Sequence, residues 1–89
     1  MSICLRCLVS GKVQGVFFRA TARFEAQTLG IKGYAKNLTD GNVEVMACGE
    51  PDSLEKFRYW LSKGPQAARV SGVSCESVGM QLFDGFSVR

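Results

Sequence analysis

The sequence contains no histidine. The side chain that most often carries protons near neutral pH is therefore unavailable, and so is any metal centre that needs imidazole. Charge of one sign never accumulates. Eleven Lys and Arg and eight Asp and Glu, a formal net charge of +3, are interspersed without a run of five. A basic nucleic-acid arm and an acidic tail are excluded, but a local positive site for a small anion is not. No apolar run approaches the roughly 18 residues of a membrane span. The opening MSICLRCLVSG lacks a basic region leading to a cleavage site, so no signal peptide is expected and the expected location is the cytoplasm. Repeats, linkers and low-complexity stretches are also missing.

What is present suits one small core. With 89 residues, 46% of them hydrophobic, residues 1–89 are expected to form a single domain, and such a chain buries only about 60 to 65% of its unfolded surface. Four cysteines stand at positions 4, 7, 48 and 75. Cys4 and Cys7 form a CxxC, but zinc would need a second pair of ligands, and Cys48 and Cys75 are single and far apart. No metal is expected.

The hydrophobic pattern changes period along the chain. Ile3–Ser10 alternates Leu5, Cys7 and Val9 against Cys4, Arg6 and Leu8, as a strand does. Phe18, Ala22, Ala26 and Leu29 follow at helical spacing, with Gly30 placed to end the helix. Ile31–Asn37 and Asn42–Cys48 read as two strands joined through Asp40-Gly41, a hairpin signal. Asp52 and Glu55 then offer a capping box for a second helix with Leu54, Phe57, Arg58 and Leu61 inward, closed by Gly64-Pro65. Val70–Val78 and Phe83–Val88 supply a long strand and a short final one. This order predicts an α+β fold: a ferredoxin-like βαββαβ sandwich, with an antiparallel sheet of four to five strands and two helices on one face. Strands one and three become antiparallel central neighbours, which brings Cys4 towards Cys48. A cross-strand disulfide there is geometrically possible, against the tendency of a reducing cytoplasm. Cys7 is expected in the core, and Cys75 packed rather than reactive.

Gly11-Lys12-Val13-Gln14-Gly15-Val16-Phe17-Phe18-Arg19 joins the first strand to the first helix. Glycines in such a turn let unpaired N–H groups curl into a nest beside the positive end of the helix dipole, a geometry that suits phosphate. Arg19 stands in the first helical turn, where a cation is disfavoured unless an anion is near, and a bidentate phosphate would supply one. The loop is neither a Walker loop nor a dinucleotide fingerprint, so a plain turn with a solvated arginine is an equal reading of these residues alone.

Val9 through Arg19 resembles the first signature of the acylphosphatase family at each of its fixed positions. Gly33-Tyr34-Ala35-Lys36-Asn37, continuing through Gly41, Val43 and Gly49, resembles the second, and the likeness covers essentially the whole chain. It implies hydrolysis of the carboxyl-phosphate bond of acyl phosphates, without metal or cofactor. It also implies Arg19 as the phosphate-binding arginine, Asn37 as the residue that orients the attacking water, and Lys12, Val13, Gln14, Gly15, Val16, Phe17 and Phe18 as the phosphate-binding loop. Gly11 and Thr39 are expected in support, Thr39 by holding Asn37 through its hydroxyl, while Lys12 and Lys36 could add positive potential. The partners implied are an acyl phosphate and inorganic phosphate, with no nucleic acid and no membrane, for a monomer. The missing histidine agrees, because a carboxylate leaves without being protonated.

Two other classes compete. RNA-recognition modules share the fold class, and Lys32-Gly33-Tyr34-Ala35 imitates the start of their aromatic signature. Lys36 replaces the expected Phe, however, and the face bearing Cys4, Arg6, Leu8, Glu44, Met46 and Cys48 offers no aromatic platform. A phosphate-binding regulatory domain would keep the site without turnover. The end of the chain, Phe86-Ser87-Val88-Arg89, lacks the terminal Tyr common in the family, which bears on the packing of the last strand.

Overall fold

A computed structural model describes residues 1–89. The elements are β1 (Ile3–Lys12), α1 (Phe18–Thr28), β2 (Lys32–Asn37), β3 (Val43–Gly49), α2 (Pro51–Lys63), β4 (Arg69–Val78) and β5 (Phe86–Val88). They form one five-stranded sheet in the order β4-β1-β3-β2-β5, with both helices packed over one core. The predicted ferredoxin-like α+β order is present. One feature of the sheet differs from expectation: β5 runs parallel to β2, so the sheet is mixed rather than antiparallel. Phe86, buried on the core side, anchors this short edge strand against Phe57 at 5.9 Å.

β3 is central and buried along its full length. On its core-facing side Val43, Val45 and Ala47 meet Phe18, Ala22 and Ala26 of α1 and Leu54, Phe57 and Leu61 of α2 in one cluster. Phe18 is 1% exposed and contacts Trp60 with ring centres 5.5 Å apart, which ties the start of α1 to α2. Burying such a ring stabilises the fold by about 1.5 to 3 kcal/mol.

α2 corrects two expectations. Its N-cap is Glu50, with Pro51 at the first helical position and no side-chain capping bond, so Asp52 lies inside the first turn instead of capping it. Proline's fixed φ is already helical and its missing N–H is no loss there, which starts the helix earlier than the capping pattern suggests. Arg58 is exposed rather than part of the inner stripe. No helix is long and apolar enough to cross a membrane.

Cys4 and Cys48 stand directly opposite each other on β1 and β3 and are joined as the topology suggested, with sulfurs 2.03 Å apart. A second disulfide, Cys7–Cys75, was not anticipated. It joins β1 to β4 at another directly opposed pair, so Cys75 is neither free nor merely packed. Since Cys4 and Cys7 differ in parity, the two bonds lie on opposite faces of the sheet. The helix-free face also departs from expectation: Cys4, Met46 and Cys48 are buried there, with Tyr34, Val78 and Phe83 packed against them. The backbone N–H of Gln81 lies 3.5 Å from the Cys4 sulfur, so residues 79–85 cross over this face. It therefore carries two aromatic rings, Tyr34 and Phe83, 6.0 Å apart.

Candidate active site

β1 and β2 are both antiparallel to β3, so they run parallel to each other and end on one edge of the sheet. Val43 pairs with Val9 of β1 on one side and with Asn37 of β2 on the other. The loop after β1 and the end of β2 are thus brought together by register alone.

Val13 and Val16 are buried and fasten the loop from beneath. Two left-handed residues bend it, Gly15 at φ 75° and Phe17 at φ 63°. Gly15 has open space where a Cβ would stand, so its requirement is conformational. For Phe17 the same conformation costs about 1–2 kcal/mol. Its carbonyl accepts hydrogen bonds from the N–H of Thr21 at 3.1 Å and from Thr21 Oγ1 at 2.8 Å, which opens α1. Outside the helices and strands, no backbone hydrogen bond has a donor N–H among residues 13–17. A run of unpaired donors therefore stands beside the positive end of the α1 dipole.

Gln14, expected only as a loop residue, has a side-chain task that its sequence position did not disclose. Its Nε2 donates to the carbonyl oxygens of Leu38 at 2.8 Å and Asn42 at 2.9 Å. One amide thereby clamps the loop to the β2–β3 turn, whose first residue follows Asn37. Gly11 lies at a register shift between β1 and β4, where a Cβ would come within 2.1 Å of the Arg69 carbonyl oxygen. Lys12 is the last residue of β1 and exposed. Thr39 is exposed in the turn, and no hydrogen bond joins it to Asn37. Lys36 is paired in register with Glu44 on the face opposite the helices.

Arg19 is the second residue of α1, in a first turn without acidic residues. Its Nη1 donates to the main-chain oxygen of Arg89 at 2.6 Å, a protein partner for a cation that the dipole disfavours. Arg89 is held in turn: its N–H donates to the Ala35 carbonyl at 2.8 Å, and its guanidinium lies 4.1 Å from the centre of the Tyr34 ring. Tyr34 donates its hydroxyl to Glu44 Oε1 at 2.9 Å, while Arg6 Nε donates to Glu44 Oε2 at 2.7 Å. Burial opposes ionisation of Glu44, but the hydrogen bonds from Tyr34 and Arg6 and the Arg6 and Lys36 charges outweigh it. The carboxyl is held below its ordinary value. Tyr34 is pushed up, by burial first and by its bond to the carboxylate second.

Asn37 closes the site. Its Oδ1 is buried and makes no hydrogen bond to any protein atom. Gly15, Phe17, Arg19 and Asn37, with Val13, Phe18, Ala20 and Val88, line one cleft of about 260 Å³. No three His, Cys, Asp or Glu side chains gather as a metal would require. The cleft combines unpaired backbone donors, a fixed guanidinium and an unpaired carboxamide oxygen.

A model of the acylphosphatase family matches residues 5–88. The chain belongs to the acylphosphatase family. It is 53% identical over 83 residues to an acylphosphatase of Alkalilimnicola ehrlichii, covering 93% of each chain. A solved acylphosphatase from Coxiella burnetii superimposes with a TM-score of 0.96 at 45% identity, over 99% of this chain and 93% of that one. The acylphosphatase shape also occurs in a full-length HypF, where 12% of the chain matches at a TM-score of 0.93 and 21% identity, a likeness of fold alone.

Proposed function

We propose that the enzyme hydrolyses acyl phosphates to a carboxylate and inorganic phosphate, with Arg19 and the N–H groups of loop 12–18 holding the phosphoryl group and Asn37 orienting the attacking water. The observation that carries this reading is the shared cleft, which has Arg19, Asn37 and the loop on its walls. Guanidinium offers five donors in a fixed fork. With Nη1 engaged by Arg89, the remaining N–H groups can still take two phosphoryl oxygens.

Water attacks phosphorus in line with the departing acyl oxygen. A P–O bond to the water forms as the P–O bond to the carboxyl oxygen breaks, and the water's proton passes to a phosphoryl oxygen. Charge is spread over the equatorial oxygens and grows on the departing carboxyl oxygen in a loose transition state, so the site's work is positioning and electrostatic stabilisation. Asn37 suits the water because Oδ1 can accept one of its O–H groups without ionising. Leaving that buried oxygen unpaired would cost about 1–3 kcal/mol. The leaving carboxylate needs no acid, in keeping with a chain that contains no histidine.

The proposed setting is a cytoplasmic monomer of one domain acting on a small molecule, without metal, cofactor, nucleic acid or membrane. Disulfides persist where thiols are oxidised. In a reducing cytoplasm the same chain would carry four thiols.

Hydrolysis of benzoyl phosphate tests the roles. Arg19→Ala is expected to lower kcat/KM by about 100- to 1,000-fold and to weaken inhibition by inorganic phosphate at least tenfold, an effect of about 1.4 kcal/mol or more. Asn37→Ala is expected to lose about 100-fold in kcat while phosphate still inhibits. Near-normal turnover in Asn37→Ala would remove the water-positioning role.

A further inference from the structure

We infer that Phe17, together with Val88, forms an acyl subsite that favours acyl phosphates with an apolar, above all aromatic, acyl group. The inference rests on the proposed reaction and concerns the half of the substrate that the phosphate site leaves unread.

The cleft has two kinds of wall. Arg19, Asn37 and the loop amides face a phosphoryl group, whereas Phe17, Ala20 and Val88 are apolar. Phe17 is 81% exposed and Val88 38% exposed, so these surfaces remain open to solvent at the mouth of the site. A lone exposed aromatic residue would ordinarily need no explanation.

Phe17 differs because its place disfavours it twice. It is the one non-glycine residue of the chain with positive φ, a conformation glycine would adopt without strain. Its backbone is held through its carbonyl by Thr21, which needs no particular side chain at position 17. The ring is too exposed to add to the core. A large apolar group kept at a strained position, in water, on the wall of a substrate cleft is accounted for by a ligand that covers it. Non-glycine strain of this kind concentrates at functional sites. An acyl phosphate with its phosphoryl group on Arg19 carries its acyl group out of the polar half, and an aromatic acyl group stacks on a ring as a methyl cannot.

The experiment compares kcat/KM for benzoyl phosphate with that for acetyl phosphate in the wild type and in Phe17→Gly, Phe17→Leu and Val88→Ser. Any change in the loop's hold on phosphate affects both substrates and cancels in the ratio, while inhibition by inorganic phosphate monitors the cradle separately. In Phe17→Gly the benzoyl-to-acetyl ratio is expected to fall about tenfold, mainly through a higher KM for benzoyl phosphate. Phe17→Leu should keep part of the preference, and Val88→Ser should lower it about two- to threefold. A ratio within twofold of wild type in both Phe17→Gly and Phe17→Leu overturns the inference while leaving the proposed reaction intact. A wild type that hydrolyses neither substrate overturns both.

Discussion

Gln14 shows how a residue can matter to a site it does not line. Its amide donates to the carbonyls of Leu38 and Asn42, so the loop after β1 is tied to the turn after Asn37. Gln14→Ala is expected to lose about 1–3 kcal/mol of stability, from two hydrogen bonds worth about 0.5–1.5 kcal/mol each. Its kcat should fall about 10- to 100-fold, because small misplacements of positioned groups are costly. Denaturant unfolding and turnover at saturating substrate check both, and an unchanged kcat in a destabilised variant would limit Gln14 to a structural role. At this scale the meeting of Arg19 and Asn37 at one cleft was legible, because β1 and β2 run parallel and end side by side. Gln14 and Phe17 stood in the same motif, yet their side-chain roles were not legible. A loop glutamine reads the same whether its amide meets water or carbonyls 24 and 28 residues away, and the left-handed conformation of Phe17 leaves no mark in composition.

Elements were legible where periodicity was strong and less so where pairing decided the outcome. β1, α1 and the β2–β3 hairpin follow from alternation, helical spacing and an Asp-Gly turn. The register of β4 against β1, which sets Cys7 opposite Cys75 and shifts only at Ser10/Gly11, does not follow from alternation, and with it went the second disulfide. Similarly, alternation alone could not disclose that residues 79–85 cover the second face of β1 and β3, or that Glu44 would be 8% exposed beneath Tyr34 and Arg6. That cluster has a pH signature. The folded carboxyl titrates below its ordinary 4.5, so the unfolded chain takes up the proton first as pH falls. Stability from Glu44 is therefore fully present above about pH 4.5 and is lost as pH drops through the folded value. Glu44→Gln should cost about 1–3 kcal/mol at pH 7 and flatten the decline in stability below about pH 4.5 in urea unfolding. A decline as steep as in the wild type would assign the acid sensitivity to other carboxylates.

For the molecule as a whole, β1 bears both disulfides, one to each neighbouring strand. Closing loops of such length is worth about 2–4 kcal/mol per bond. Reduction should therefore lower the urea midpoint markedly, and Cys7→Ala with Cys75→Ala should lower it by about half as much as full reduction. Mass analysis without reductant is expected to find no free thiol in aerobically purified protein; four free thiols would refute the bonded form under those conditions. The fold class was readable at this scale because element order leaves few ways to share one core, whereas the parallel edge strand depended on where Phe86 could be buried.

The same arrangement bears on how the chain finds its structure. β1 is made first but must wait for strands whose cysteine partners lie 44 and 68 residues downstream. Such distant pairing makes for slow folding, because the cost of closing long loops precedes any reward from contacts. A chain whose cysteines are already joined begins that search with its farthest strands tethered, so its redox history sets how quickly the cleft is assembled.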